Sequence, residues 1–330
     1  MNYKEEILKL KQELDVTVVA HFYQKDEVFE LADITGDSLE LAKKAMASSA
    51  SNVVFCGVGF MGESVKVLSP NKRVLMPKIA CCAMAKMIDV DYYNENLIIL
   101  NEAGISNEDI LPITYINSSA AVKAAVGKMG GYVCTSSNAF KIIKKGLESG
   151  KKIFFVPDRC LGQNFAKQIG LKSAVIGINS IEEVKEADII CYNGFCSVHQ
   201  LFTPEDIDFY KAKYPDIIVA VHPECDVAVV DKADFVGSTS QLIKYITTEL
   251  DPEQKVVVGT EYNMVNRLRD KNTYVLSSTK PECPTMNETT LEDLYNTLVS
   301  IKEGTFNNEI QVNEEVVKYA RIALERMFEV

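Results

Sequence analysis

No two cysteines of this sequence form a C-x-x-C pair, so neither a zinc ribbon nor a thioredoxin-type dithiol is written into it, and ferredoxin spacing is missing too. No Lys/Arg block occurs, and 35 basic against 46 acidic residues leave a formal charge of −11. A sequence-independent grip on phosphate backbones needs clustered cations, so no nucleic-acid partner is expected. No apolar run approaches the roughly 18 residues of a membrane span. The opening "MNYKEEILKLKQEL" carries acidic residues at helical spacing where a signal peptide needs a basic start and an unbroken apolar core. No membrane contact is expected, and the chain reads as a cytoplasmic protein.

What is present is an apolar fraction of 47% over 330 residues, enough for two or three domains with real cores. Nine cysteines stand at Cys56, Cys81, Cys82, Cys134, Cys160, Cys191, Cys196, Cys225 and Cys283. An odd count fits a disulfide framework poorly, and a reducing compartment leaves metal ligation, catalysis or burial as explanations. Any metal site must therefore gather thiols that are remote in sequence.

Short apolar runs alternate with amphipathic stretches throughout, the pattern of βαβ units around parallel sheets. The layout recurs three times. First strands end in polar-aromatic tips, "VTVVAHFYQ", "ILPITYINSS" and "ADIICYNGFCSVH". Second strands run into helices in "NVVFCGVGFMGESVKVL", "YVCTSSNAFKIIKKG" and "IIVAVHPECDVAVVDKADFVGSTSQLIKYI". Third strands follow in "RVLMPKIACCAMAKM", "KIFFVPDRCLGQNFAK" and "KVVVGTEYNMVNRLRD", each with a brief apolar run after it, "NLIIL", "SAVIGI" and "NTYVLSS". The expected fold class is α/β: three similar small, three-layer, parallel-sheet domains in a pseudo-threefold arrangement about a central site. The boundaries expected are 1–105, 106–182 and 183–280, with 281–330 as a C-terminal segment holding the last cysteine and closing helices. Ligands bind beyond the carboxyl ends of parallel strands, so three such ends facing one axis make one shared site.

The strand ends carry polar groups where a structural turn would accept Gly, Asn or Asp. They are His21 and Tyr23, Tyr115 and Asn117, Cys196 and His199, then Cys56, Cys134 with Ser136, and His222 with Glu224. Any one histidine reads as an ordinary hydrogen-bonded side chain, but all three of the chain fall at such tips and together point to a site. Hydroxyl-rich helix starts in "TGDSLEL", "INSSAAV", "TSSNAF" and "VGSTSQL" supply N-caps and, where they converge, donors for an anion. The glycines of "GVGFMGES" lack dinucleotide-loop spacing and read as a turn. Among the thiols, Cys56, Cys134 and Cys191 read as buried and inert, and Cys225 as buried or near the site. Cys82 opens a helix, Cys196 sits at a strand tip, and Cys283 lies in "KPECPTM", whose Cys-Pro is like the end of an iron–sulfur ligand run.

The ordered strings "AHFYQ", "GDSLELA", "CCAMAKM", "TYINSSA", "CTSSNA", "VPDRCLGQN", "GFCSVHQLFTPEDI", "HPEC", "VGSTSQLI", "GTEYNMVNRL" and "CPTMN", spanning about residue 18 to residue 290, resemble the bacterial and archaeal quinolinate synthases. The resemblance implies an enzyme that condenses iminoaspartate with dihydroxyacetone phosphate, losing phosphate and two waters, to form quinolinate on the route to NAD. It implies a triangle of three α/β domains around a [4Fe–4S] cluster held by three cysteines, here Cys82, Cys196 and Cys283. Cys82 is preferred to Cys81 because the family ligand directly precedes "x-M-A". Cys160 departs from the family, which usually has Asn in "PDRNLG", and is given no ligand role.

By the same resemblance His21, Tyr23, Ser38, Tyr115, Asn117, Ser136, His222, Glu224, Ser238 and Thr239 line the substrate pocket. Glu224 is the expected general acid/base, with Tyr23 and His21 assisting proton transfer and positioning the phosphate-bearing substrate. Tyr115 and Asn117 orient intermediates, and Ser38, Ser136, Ser238 and Thr239 bind carboxylate or phosphate oxygens. Functional coupling to an aspartate oxidase or dehydrogenase is expected, as the source of iminoaspartate. Two other readings compete: an aconitase-like hydro-lyase, which would form no pyridine ring, and an iron–sulfur redox sensor, which would show no turnover.

Overall fold

In the computed structural model, which describes residues 2–329, strand-length runs such as "NVVFC" and "KIFFV" each bury four consecutive side chains. Burial on both faces is what parallel strands covered by helices require. The first sheet joins Val16–His21 (β1), Ile34–Gly36 (β2), Asn52–Cys56 (β3) and Arg73–Leu75 (β4) in the order β2-β1-β3-β4. The second joins Ile110–Tyr115 (β5), Tyr132–Cys134 (β6), Lys152–Val156 (β7), Ser173–Val175 (β8) and Ile189–Cys191 (β9) as β6-β5-β7-β9-β8. Ile218–Val221 (β10), Phe235–Val236 (β11), Val256–Gly259 (β12) and Thr273–Val275 (β13) form the third, β11-β10-β12-β13. Every pairing in the three sheets is parallel. Three parallel α/β units are thus present, as the alternating pattern led one to expect.

The strand-by-strand alignment of the third unit needs correcting. Ile189–Cys191, expected as its first strand, instead pairs with β7 and β8 inside the second sheet. The third unit begins at β10, so "IIVAVHPEC" is the counterpart of "VTVVAHFYQ". One constant offset in residue number then relates His21 to His222, Tyr23 to Glu224, Asp33 to Asp234 and Gly36 to Gly237. The likeness extends to hydrogen bonding: Asp33 Oδ2 accepts the Val18 N–H and Asp234 Oδ2 the Val219 N–H, both at 2.8 Å. Residues 97–100, read as part of a brief apolar run in "NLIIL", belong to the helix Val90–Glu102. Its N-cap Asp89 and the turn-by-turn burial of Tyr93, Leu97 and Leu100 favour helix over strand.

Beyond the third sheet the chain returns to the other two units. Helix Leu291–Glu303 buries Leu294, Leu298 and Ile301 with Ile7 and Leu10 of the N-terminal helix Tyr3–Glu13. Helix Glu314–Arg326 lies on helix Ala120–Lys128, and there Gly127 permits the approach. A Cβ on Gly127 would stand 2.1 Å from the Tyr319 carbonyl oxygen, and neither helix backbone can yield locally. Gly127→Ala is therefore expected to cost about 1–3 kcal/mol, read as a lower urea midpoint at unchanged slope. Among the described residues no helix is long and apolar enough to cross a membrane.

Candidate functional site

At the carboxyl end of β1 the Tyr23 N–H donates to His21 Nδ1 at 3.1 Å, and after β10 the Glu224 N–H donates to His222 Nδ1 at 3.3 Å. In each neutral ring the proton is thereby placed on Nε2. Residues two beyond the imidazoles, Tyr23 and Glu224, turn into one cavity, and Tyr115 at the end of β5 and Asn117 beyond it reach the cavity at the same spacing.

The cavity gathers His21, Tyr23, Ser38, Tyr115, Asn117, Ser136, His222, Glu224 and Thr239, together with Cys82, Cys196 and Cys283. Ser238 is the exception among the expected residues. It is fully buried behind the wall, capping its helix at Gln241, with its hydroxyl oxygen 2.9 Å from that of Ser137. Its oxygen is already engaged, which is why it does not face the cavity. His199, expected at the site with the other two histidines, lines the space as well, and so do Asp37, Thr135 and Met286, which carried no expected role. Asp37 is legible in "TGDSLEL" only as a helix start.

Glu224 is the most heavily engaged group. Its Oε1 accepts the Tyr115 hydroxyl at 2.5 Å, a charge-assisted contact, and Oε2 lies 2.9 Å from His199 Nδ1. The latter is a close polar contact, with the N–H direction off the hydrogen-bond line. His199 stacks on His222 with centroids 4.6 Å apart, and its Nε2 is 3.1 Å from Thr260 Oγ1. Thr260 and Thr239 each lie 2.9 Å from the Tyr23 hydroxyl. Polar groups therefore run without a break from Glu224 through His199 and Thr260 to Tyr23.

Burial pushes the Glu224 carboxyl up, but the electrostatic influence of His222 and His199 and the Tyr115 hydroxyl pull it down and prevail. Tyr115 and Tyr23 are held well above the usual phenol range, first by burial and then by the Glu224 charge. Burial pushes His21 down to about 4 and His222 down to about 3 against nearby carboxylates. An unfolded chain takes up those protons near pH 6.5, so it binds more protons than the native protein below that pH. Stability should fall as pH drops from about 6.5 toward 4, by up to ~1.4 kcal/mol per unit for each ring. Urea midpoints measured across that window should fall with acid, and less steeply in His222→Gln.

Three helix starts meet beside the cavity. Asp37 Oδ1 caps its helix at the Leu39 and Glu40 N–H groups, while Oδ2 accepts the hydroxyls of Ser137 at 3.0 Å and Ser240 at 2.8 Å. One residue from each sheet's unit is thus joined at a single carboxylate.

Cys82, at the N-cap of helix Ala83–Lys86, Cys196 and Cys283 are half-buried, whereas Cys56, Cys134, Cys160, Cys191 and Cys225 are fully buried and Cys81 is exposed. Only the half-buried three line the cavity, and they come from three remote stretches of chain. Burial pushes Cys82 up to about 12, raises Cys283 and lifts Cys196 well above the ordinary thiol range. Loading a soft metal there must release protons. A second donor set overlaps it: Cys196, His199 and Glu224 bring ligand atoms within 4.8 Å of one another.

A protein-family model described as Quinolinate synthetase A protein matches residues 5–329. The quinolinate synthase of Helicobacter pylori is 57% identical over 330 residues, covering 99% of this chain and 97% of its own. That of Streptomyces coelicolor is 41% identical over 332 residues, with 94% and 84% covered, and that of Corynebacterium glutamicum 39% over 331, with 96% and 84%.

Proposed function

The chain belongs to the quinolinate synthetase A family, and from that premise we propose that its cavity condenses iminoaspartate with dihydroxyacetone phosphate to give quinolinate, phosphate and two waters, for NAD biosynthesis. One observation carries the reading: three half-buried thiols from remote segments share a cavity with Glu224, Tyr115 and all three histidines.

Cys82, Cys196 and Cys283 would hold a [4Fe–4S] cluster, and the donor set fits one, being three soft sulfurs on different walls of a space that is otherwise polar. Held by three thiolates, such a cluster leaves one iron without a protein ligand and supplies a Lewis acid.

The chain's own groups do the rest. Glu224 takes protons from carbon and returns them to departing oxygens, as successive enolisations and dehydrations require. Tyr115, donating to Glu224 Oε1, keeps that carboxylate aimed and shares its proton. His199, Thr260 and Tyr23 connect Glu224 to the opposite wall through polar contacts. His21, with its proton on Nε2, and Tyr23 hold the phosphate-bearing substrate. Asn117 orients intermediates, and Ser38, Ser136 and Thr239 donate to carboxylate or phosphate oxygens. Ser238 acts at one remove, through the cap that places Thr239.

An imine hydrolyses in water, so iminoaspartate must be supplied close by, which is the chemical case for coupling to an aspartate oxidase or dehydrogenase in the cytoplasm. The test is anaerobic reconstitution followed by product and metal analysis. Quinolinate from iminoaspartate and the triose phosphate, with about four irons and matching sulfide per chain, is the expected result. A single metal ion without sulfide, still supporting turnover, would move the metal to Cys196, His199 and Glu224 instead.

A further inference from the structure

Lys123 is wholly buried, although its ammonium lies on the second turn of helix Ala120–Lys128, where the helix dipole also disfavours a cation. An apolar side chain of that length would pack the helix without either cost. What the ammonium does is specific: it donates to the Ile116 carbonyl at 2.7 Å and to the Ser118 carbonyl. These are the two carbonyls that flank Asn117. Its other neighbours include the Phe60 ring, 5.3 Å away, the Glu63 carboxylate, which accepts the Ala120 N–H at 2.7 Å, and the Cys82 sulfur, near enough to act on its charge.

The segment it holds leads directly into the cavity. Tyr115 and Asn117 both line that space, and Asn117 Oδ1 is buried without a hydrogen-bond partner. A buried amide oxygen left open is costly unless something arrives to meet it, and the side that can change is the cavity. The turn is also pinned by the Ser118 hydroxyl on the Tyr115 carbonyl at 3.0 Å, by the Ile116 N–H on the Cys134 carbonyl at 2.8 Å and by the Ser118 N–H on the Ile116 carbonyl at 2.8 Å; only the last reaches a carbonyl beside Asn117, and none reaches the Ser118 carbonyl, which Lys123 holds from the helix side.

We propose that Lys123 is a positioning residue of this site, whose ammonium clamps the carbonyls on either side of Asn117 and so keeps the Asn117 amide aimed at the substrate. The inference rests on the reading that the cavity binds substrate. Lys123 itself touches no substrate. Its influence passes through Asn117, and this makes it separable from a merely structural lysine.

The experiment is a double-mutant cycle on the anaerobically reconstituted enzyme, with Lys123→Met, Asn117→Ala and the pair, using quinolinate as the binding probe. Lys123→Met should keep its iron content and cooperative unfolding while weakening quinolinate about 10-fold, the loss of about one hydrogen bond. In the Asn117→Ala background the same change should cost no more than about 2-fold further, because coupled residues are not additive. Where Lys123→Met does not fold, Lys123→Gln, which is neutral and able to reach one carbonyl, carries the test. Quinolinate affinity and KM unchanged in the Lys123 variant, additive losses, or failure of both variants to fold with iron would each overturn the proposal in favour of a plain structural role. A damaging Asn117→Ala with additive Lys123→Met removes this proposal alone. A silent Asn117→Ala removes Asn117 from the substrate site as well.

Discussion

Glu224→Gln is expected to lower quinolinate turnover by roughly 100- to 10,000-fold, the usual worth of a positioned acid/base, while iron content stays at the wild-type level. The substitution keeps the shape of the side chain but removes its ability to take a proton. It also sets an amide against a Tyr115 hydroxyl that now donates to Oε1 at 2.5 Å, and against His199 at 2.9 Å from Oε2. Steady-state kinetics beside iron analysis separates the outcomes. Retained iron with lost kcat is the expected pattern. Lost iron would make Glu224 part of the metal site, as its place within 4.8 Å of Cys196 and His199 allows. Wild-type turnover would take Glu224 out of the chemistry.

Cys82→Ser is expected to abolish cluster loading, and with it all measurable quinolinate formation, whereas Cys81→Ala should load and turn over normally. The two thiols are neighbours in sequence and opposite in setting. Cys82 lines the cavity, while Cys81 is exposed and lies outside it. Serine keeps the size and polarity of the side chain but loses the soft donor that iron–sulfur ligation needs. Iron, sulfide and visible absorbance of both variants, prepared under nitrogen, decide the matter. An iron-free Cys81→Ala beside a loaded Cys82→Ser would exchange the two assignments.

The elements easiest to foresee from sequence were those with enough residues to carry a period. The buried runs at β1, β3, β5, β7, β10 and β12 stand out by hydropathy alone, and they outline the three parallel units. What escaped were pieces too short to have a pattern. The three residues of β2 and the two of β11 are strands only because a neighbour offers its hydrogen bonds. Without them the His21 and His222 units could not be aligned, and β9 was placed in the third unit when its partners lie in the second. Tertiary pairing, which no local pattern records, made that choice.

The cavity followed the same division. The strand-end positions His21, Tyr23, Tyr115, Asn117, His222 and Glu224 face it because period-two geometry and the imidazole-to-backbone bonds turn alternate residues inward. Ser238 and Asp37 could not be told apart in the same way, since each opens a helix and local sequence does not say which oxygen the cap consumes. The structure shows Ser238 buried behind the wall and Asp37 reaching the cavity with a carboxylate that serves three units at once. The contribution of Lys123 was equally invisible, for a lysine inside an Ala-rich helix reads as solvated until its surroundings are known.

Cys283 lies past the last strand, and the two helices behind it dock onto units made hundreds of residues earlier. On the ribosome, then, a nascent chain can have all three sheets in hand and still lack the third thiol of the proposed metal site. Were Cys283 to ligate the proposed cluster, insertion of iron and sulfide would have to wait until that residue had emerged, so whatever delivers the cluster would meet a nearly complete protein rather than a growing one.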